Sequence, residues 1–68
     1  MKTISGKRLC KILESKGWLL KRVNGSHYIY SKSGHDELLV IPVHKNEDLK
    51  LGLLKSVMRI ADIQENEL

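Results

Sequence analysis

The sequence contains few of the residues and segments that define several large classes of protein. Only one of its 68 residues is cysteine, Cys10, so no disulfide can form within the chain and a disulfide-stapled secreted scaffold is excluded. No apolar run approaches the roughly 18 to 20 residues of a membrane-spanning helix, and the charged first twelve residues lack the apolar core of a signal peptide. We therefore expect a single cytoplasmic domain over residues 1–68, with a core small enough to be marginal.

Signatures of common cofactor and metal sites are also missing. One cysteine and three scattered histidines do not provide the ligand spacing of a zinc site, and there is neither a P-loop nor a dinucleotide-binding glycine pattern. Ser26 and His27 are adjacent on a predicted strand and point to opposite faces, so a serine hydrolase is not expected. The sequence thus predicts neither a metal nor a cofactor.

Positive charge, by contrast, is abundant and unevenly distributed. The net charge is +4, but residues 1–61 hold all twelve lysines and arginines and only five of the eight acids, so this part carries +7. Such a body favours a polyanion: a nucleic acid, an anionic membrane surface or an acidic protein. Lysines that only solubilise a small domain are the simpler alternative.

Hydrophobic periodicity and turn residues predict five elements. A helix over residues 5–16 begins at Ser5, a good N-terminal cap, and ends at Gly17, which suits a left-handed conformation. Asn24-Gly25 predicts a tight hairpin turn, and a second helix from about Leu51 places Gly52 in its first turn. The three predicted strands cover residues 18–23, 26–32 and 37–43.

This order of elements predicts an α+β fold. Two helices can cover one face of a three-stranded antiparallel meander and leave the other face open. The α-β-β-β-α arrangement is the one that double-stranded-RNA-binding domains use. A fold does not determine a function, so this observation only favours RNA over the other polyanions as the ligand.

The three histidines have different predicted environments. His35 lies in a turn and is most simply a solvated loop residue, and His44 follows a strand, where it contacts either a phosphate or water. His27 lies at the very start of the strand that follows the tight turn, beside the small residues Gly25 and Ser26, where a ligand backbone can approach closely. Its imidazole can accept or donate a proton near neutral pH, although a strand histidine that a neighbour satisfies is the simpler reading.

Cleavage of RNA fits these residues. RNA carries its own nucleophile, the 2′-hydroxyl, so an enzyme needs only an acid or base, positive charge for the phosphate, and orientation. His27 can supply the proton transfer, and phosphate contacts would make binding strong and salt-sensitive. The residues predicted to bind RNA are Lys7, Arg8, Lys21, Arg22, Gly25, Ser26, Lys32, His44 and Lys45.

Three segments resemble the HicA family of toxins. They are Ser5-Gly6-Lys7 through Gly17-Trp18, "GSHYIY" at 25–30, and "IPVHKNEDLKLGLLKSVMRIADI" at 41–63. Each is weak alone, but all three in this order are specific. Two departures are Leu51, where the family often has proline, and Ser31-Lys32, where many members have Arg-His.

The resemblance implies a double-stranded-RNA-binding-like domain that cleaves mRNA, with His27 as the catalytic residue. It also implies a HicB-like antitoxin that binds the toxin and covers this histidine, in a bacterial or archaeal cytoplasm. We expect an acidic antitoxin surface to compete with RNA for the basic groove. The oligomeric state of the free chain is not predicted.

The sequence leaves two other classes of function open. A non-catalytic RNA-binding module predicts that His27→Ala leaves every activity intact and that bound RNA stays whole. A protein-interaction domain or an inactivated toxin predicts tight binding to the product of a neighbouring gene and no affinity for RNA.

Overall fold

A computed structural model describes residues 1–68 and shows the predicted order of helix, three strands and helix. The helices are α1 (Gly6–Ser15) and α2 (Leu51–Ala61), and a short 3₁₀ turn covers Glu65–Glu67. The strands are β1 (Leu19–Asn24), β2 (His27–Ser31) and β3 (Leu39–Pro42). The third strand is therefore shorter than the predicted 37–43, because only its central residues pair with β2.

Both ends of α1 follow from local sequence. The Ser5 hydroxyl accepts a hydrogen bond from the backbone N–H of Arg8 at 3.1 Å, which satisfies one of the free donors of the first turn. At the other end Gly17 has φ +94°, the left-handed conformation that glycine adopts without a steric cost. The predicted cap and stop signal are both confirmed.

The three strands form one antiparallel sheet in the order β1-β2-β3. Leu20 pairs with Tyr30 and Arg22 with Ile29, so Lys21 is an extra residue that makes a β-bulge in β1. Hydrophobic alternation cannot reveal such an insertion, and the sequence did not predict it.

The two faces of the sheet have different surroundings. One face, here called the covered face, packs against both helices and includes Tyr28 and Tyr30 of β2 with Leu39 and Ile41 of β3. The other, the open face, has no helix over it. Its strand residues are Leu19, Arg22, Asn24, His27, Ile29, Ser31, Val40 and Pro42.

The core lies between the helices and the covered face. Leu9 and Leu13 of α1, Ile41 of β3 and Leu54 of α2 have no exposed surface, and Trp18 between α1 and β1 is also buried. These residues belong to one cluster, to which both helices, β2 and β3 contribute, whereas every residue of β1 is exposed. The fold is α+β with both helices on one side of the sheet, as predicted. No helix is long and apolar enough to span a membrane.

Close approach of α1 to β3 depends on one small residue. A Cβ at Gly6 would collide with the backbone carbonyl oxygen of Pro42. Glycine at the first position of α1 therefore lets the helix start directly against the end of the last strand, which sets the position of the helix over the covered face.

Candidate active site

The turn between β1 and β2 places His27 at the start of β2. Asn24 and His27 are paired residues, so the two-residue loop is Gly25-Ser26 and not Asn24-Gly25 as predicted. Gly25 has φ +64° and Ser26 a negative φ, the pattern of a type II′ turn with glycine at its first central position. The turn lies one residue later than predicted, so β2 begins at His27 and not at Ser26, the first residue of the predicted strand 26–32.

The His27 side chain lies on the open face and is exposed. Asn24 and Pro42 are its cross-strand neighbours, and Arg22 is a diagonal neighbour on β1, within reach of a long side chain. No side chain or backbone group of the protein hydrogen-bonds to the imidazole. Both ring nitrogens are thus available to a ligand for donating or accepting a proton.

A second histidine lies next to the turn. The backbone N–H of Val43 donates to the carbonyl oxygen of Ser26 at 2.8 Å and holds the chain after β3 against the turn. In consequence His44 Nε2 lies 3.4 Å from Ser26 Oγ, a long hydrogen bond between exposed groups. Predicted residues Ser26 and His44, 18 positions apart in sequence, are therefore brought together beside His27.

The other predicted RNA-binding residues fall into separate places. Lys21 and Arg22 lie at the bulge of β1, with Arg22 on the open face. Arg8 donates through Nη2 to the carbonyl oxygen of Leu68 at 3.0 Å, so part of its guanidinium is already engaged. Lys32 follows the far end of β2, roughly 16 Å along the strand from His27, where its stem lies over Gly17.

Lys7 and Lys45, distant in sequence, meet at a cavity of about 450 Å³ between α1, β2 and the segment after β3. This cavity cannot be predicted from the sequence, since it depends on how α1 lies over the sheet. Its nine lining residues are Lys7, Cys10, Lys11, Glu14, Tyr28, Tyr30, Val43, Lys45 and Asn46. The sequence shows that one face of α1 is basic and that β2 has tyrosines at alternate positions. It does not show that this helix face and these tyrosines lie against the same cavity.

Hydrogen bonds order one end of the cavity. The Tyr30 hydroxyl donates to Glu14 Oε2 at 2.6 Å. Burial, and then the bond to Glu14, raise the pKa of Tyr30 well above its usual range. Burial also raises the pKa of the Cys10 thiol, so this thiol stays protonated and is a poor nucleophile at neutral pH.

Neither the third histidine nor a metal site adds a further candidate for chemistry. His35 is exposed, as predicted, but its ring centroid lies 5.1 Å from that of Trp18, so it also covers the buried indole. No group of three or more histidine, cysteine or carboxylate side chains is arranged to hold a metal ion. The arrangement that can do acid–base chemistry is thus His27 on the open face, with Arg22, Ser26 and His44 near it.

Comparison with known proteins agrees with the observed fold. A family model described as the HicA toxin of bacterial toxin–antitoxin systems matches residues 6–63. A solved structure described as the HicA3 and HicB3 toxin–antitoxin complex contains a similar chain with a TM-score of 0.70 and 31% sequence identity. The match covers 85% of this chain and 92% of that chain. No curated protein sequence is similar enough to count as a match.

Proposed function

Because the chain belongs to the HicA toxin family, we propose that it is an endoribonuclease that cleaves mRNA, with His27 as its single catalytic acid–base group. The observation that carries this proposal is the position of His27. It is an exposed imidazole without an intramolecular partner, at the first residue of a strand that follows a tight turn. The simpler expectation from the sequence, a strand histidine that a neighbour satisfies, does not hold, because no protein group hydrogen-bonds to this imidazole.

The proposed reaction uses the 2′-hydroxyl of RNA as the nucleophile. Neutral His27 accepts the 2′-hydroxyl proton as the oxygen attacks the adjacent phosphorus, and the bond from phosphorus to the 5′-oxygen breaks. Water supplies the proton that the 5′-oxygen takes up. Positive charge from Arg22, the diagonal neighbour of His27, stabilises the additional negative charge on the phosphate. The products are a 2′,3′-cyclic phosphate and a 5′-hydroxyl, and no metal takes part.

Analysis of the product ends tests this mechanism. The purified chain is incubated in EDTA with an RNA of defined sequence, and with the same RNA carrying a single 2′-deoxy nucleotide at the cleaved position. We expect cyclic phosphate ends from the RNA and no cleavage at the deoxy position. Cleavage at the deoxy position, or 3′-hydroxyl ends, would show that another nucleophile attacks the phosphate.

We further propose that a HicB-type antitoxin neutralises the toxin by covering the open face. The similar solved chain forms a complex with HicB3. In this chain the open face exposes 45% of Val40, and 70% of Leu19 at the opposite end of β1 from His27, apolar surface that a protein partner can bury. The basic charge favours an acidic partner surface, which would compete directly with RNA.

Hydrogen exchange of the complex tests the second proposal. The experiment uses a HicB-type protein as the antitoxin, and amide exchange of the toxin is compared with and without it. Protection of β1 and β2 around His27, together with loss of RNA binding, is the expected outcome. A tight complex that leaves these strands unprotected and still binds RNA would contradict it.

A further inference from the structure

The cavity between α1 and β2 has the size and walls of a small-ligand site. Its volume of about 450 Å³ lies within the range of 300–1,000 Å³ that is typical of such sites. The half-buried Tyr28 lies next to His27 in sequence but on the covered face, and its side chain lines this cavity. An aromatic side chain that is only partly covered offers a surface on which a planar base can stack.

Three lysines at the cavity have no partner in the protein. Lys7 and Lys11 lie four residues apart on α1, where like charges repel, and Lys45 joins them from the segment after β3. The one ion pair of the chain joins Lys16 to Glu67, elsewhere on the surface. The only acid at the cavity, Glu14, already accepts a hydrogen bond from Tyr30. An anion bound among the three lysines would relieve their repulsion.

The backbone at Lys45 gives an independent indication. Its φ is +53°, the left-handed conformation, which glycine and asparagine adopt far more readily than lysine. Glycine would fit this turn at a lower backbone cost. Strained residues cluster at binding sites, and here the strained residue is one that adds positive charge to the cavity.

We propose that this cavity, here called the α1–β2 subsite, binds one nucleotide of single-stranded RNA, with its base on Tyr28 and its phosphates among the three lysines. The inference rests on the proposed function only in taking RNA as the ligand. The Ser26–His44 contact lies beside the turn that separates the subsite from the open face. An RNA strand that leaves the subsite can pass this contact and reach His27 around the end of the sheet.

The lysines are tested by binding without cleavage. The probe is a fluorescent, single-stranded 2′-O-methyl RNA decamer of mixed sequence, which lacks the 2′-hydroxyl nucleophile, and the readout is anisotropy as a function of salt. Lys11→Gln should weaken binding and reduce the slope of log affinity against log salt by about 0.7, the value for one lost phosphate contact with a single strand. Lys55→Gln on α2 removes the same charge away from the cavity and should leave the slope almost unchanged.

Lys45→Gly separates binding from folding. Glycine removes the backbone strain together with the charge, so the thermal midpoint should stay the same or rise while the affinity for the probe falls. If Lys45→Gly binds as tightly as the parent chain, Lys45 does not contact the ligand and its strain has another origin.

Tyr28 is tested with a probe that lacks bases. Tyr28→Leu should weaken binding of the decamer by roughly 5- to 150-fold, the effect of losing one stacked base, whereas Tyr28→Phe should bind normally. The parent chain and Tyr28→Leu should bind a decamer made of abasic units with the same affinity. Circular dichroism checks each fold, and the abasic probe shows whether Tyr28→Leu keeps a working backbone site.

Two results would overturn the α1–β2 subsite. One is equal behaviour of Lys11→Gln and Lys55→Gln with no effect of Tyr28→Leu. The other is loss of antitoxin binding in these variants with RNA binding intact, which would make the cavity a protein-docking site. Because the probe cannot be cleaved, neither result depends on whether the chain is a ribonuclease. Conversely, a chain that binds the probe through the subsite but never cuts RNA would disprove only the proposed function.

Discussion

The two faces of the sheet are built by the same three strands but have different surroundings. Along β3, Ile41 on the covered face is fully buried while Val40 on the open face keeps 45% of its surface exposed. Along β2, Tyr30 on the covered face is held by Glu14, whereas His27 on the open face has no partner. The covered face of β2 and β3 therefore supplies most of the sheet's contribution to the core, whereas the open face, apart from the buried Ile29, leaves side chains such as His27 exposed.

The largest expected effect on stability is a truncation on the covered face. Ile41→Ala should lower the free energy of unfolding by about 2–5 kcal/mol, since it leaves a cavity in a core that contains few residues. Val40→Ala, one residue earlier on the open face, should change it by less than about 1 kcal/mol. Urea denaturation of both variants makes the comparison, and equal losses would mean that the open face also supports the fold.

The contact between α1 and β3 gives the next largest effect. Gly6→Ala places a methyl group against the Pro42 carbonyl and should cost about 1–3 kcal/mol, because backbone must move on both sides. Gly52→Ala is the matched control in the first turn of α2, where nothing lies within 4 Å of the new Cβ. It should stabilise the chain by about 0.5–1 kcal/mol. A loss of stability in both variants would point to a general effect of alanine at helix starts.

The Tyr30–Glu14 hydrogen bond has a smaller effect that depends on pH. Tyr30→Phe should cost about 1–2 kcal/mol at neutral pH, because the bond joins a buried hydroxyl to a carboxylate. The pKa of Tyr30 is raised in the folded state, so its contribution is complete below the ordinary tyrosine pKa of about 10 and declines as the pH rises further. The parent chain should therefore lose stability between pH 9 and 11 more steeply than Tyr30→Phe, as urea titrations at these pH values can show.

The C-terminal 3₁₀ turn has the smallest expected effect. The backbone N–H of Gln64 and then the Lys16 ammonium lower the pKa of the exposed Glu67. Such a group stabilises the fold above the ordinary glutamate pKa of about 4.3, and this contribution is lost as the pH falls through the lower folded value. Glu67→Gln should thus have a slightly lower thermal midpoint than the parent chain at pH 6, and the two midpoints should converge near pH 2. A constant difference across this range would contradict the assignment.

The sequence predicts the parts of this molecule that depend on local pattern. Ser5 and Gly17 delimit the first helix, the alternation of strand residues with a glycine turn makes the hairpin, and the same pattern puts His27 at the start of β2. The turn itself is displaced by one residue, because the pairing of Asn24 with His27 is determined by the whole register of β1 and β2 and not by the Asn-Gly pair alone.

The parts that escape prediction depend on contacts between distant segments. Lys7, Lys11 and Lys45 meet at Tyr28 only because Gly6 lets α1 approach the end of β3. Likewise the Ser26–His44 contact follows from the hydrogen bond between Val43 and Ser26, which no spacing in the sequence indicates. A basic helix face was visible as charge, but its separation into engaged Arg8 and free Lys7 and Lys11 required the fold.

Cleavage of a defined RNA in EDTA by the parent chain, His27→Ala and His35→Gln tests the central claim most directly. His35→Gln is the matched control, since it removes an exposed histidine at the other end of the sheet. We expect His27→Ala to fold, bind RNA and cleave it about 10²- to 10⁴-fold more slowly, since this is the usual contribution of a positioned acid or base, while His35→Gln should cleave like the parent chain. Equal cleavage by the parent chain and a folded His27→Ala would contradict this claim.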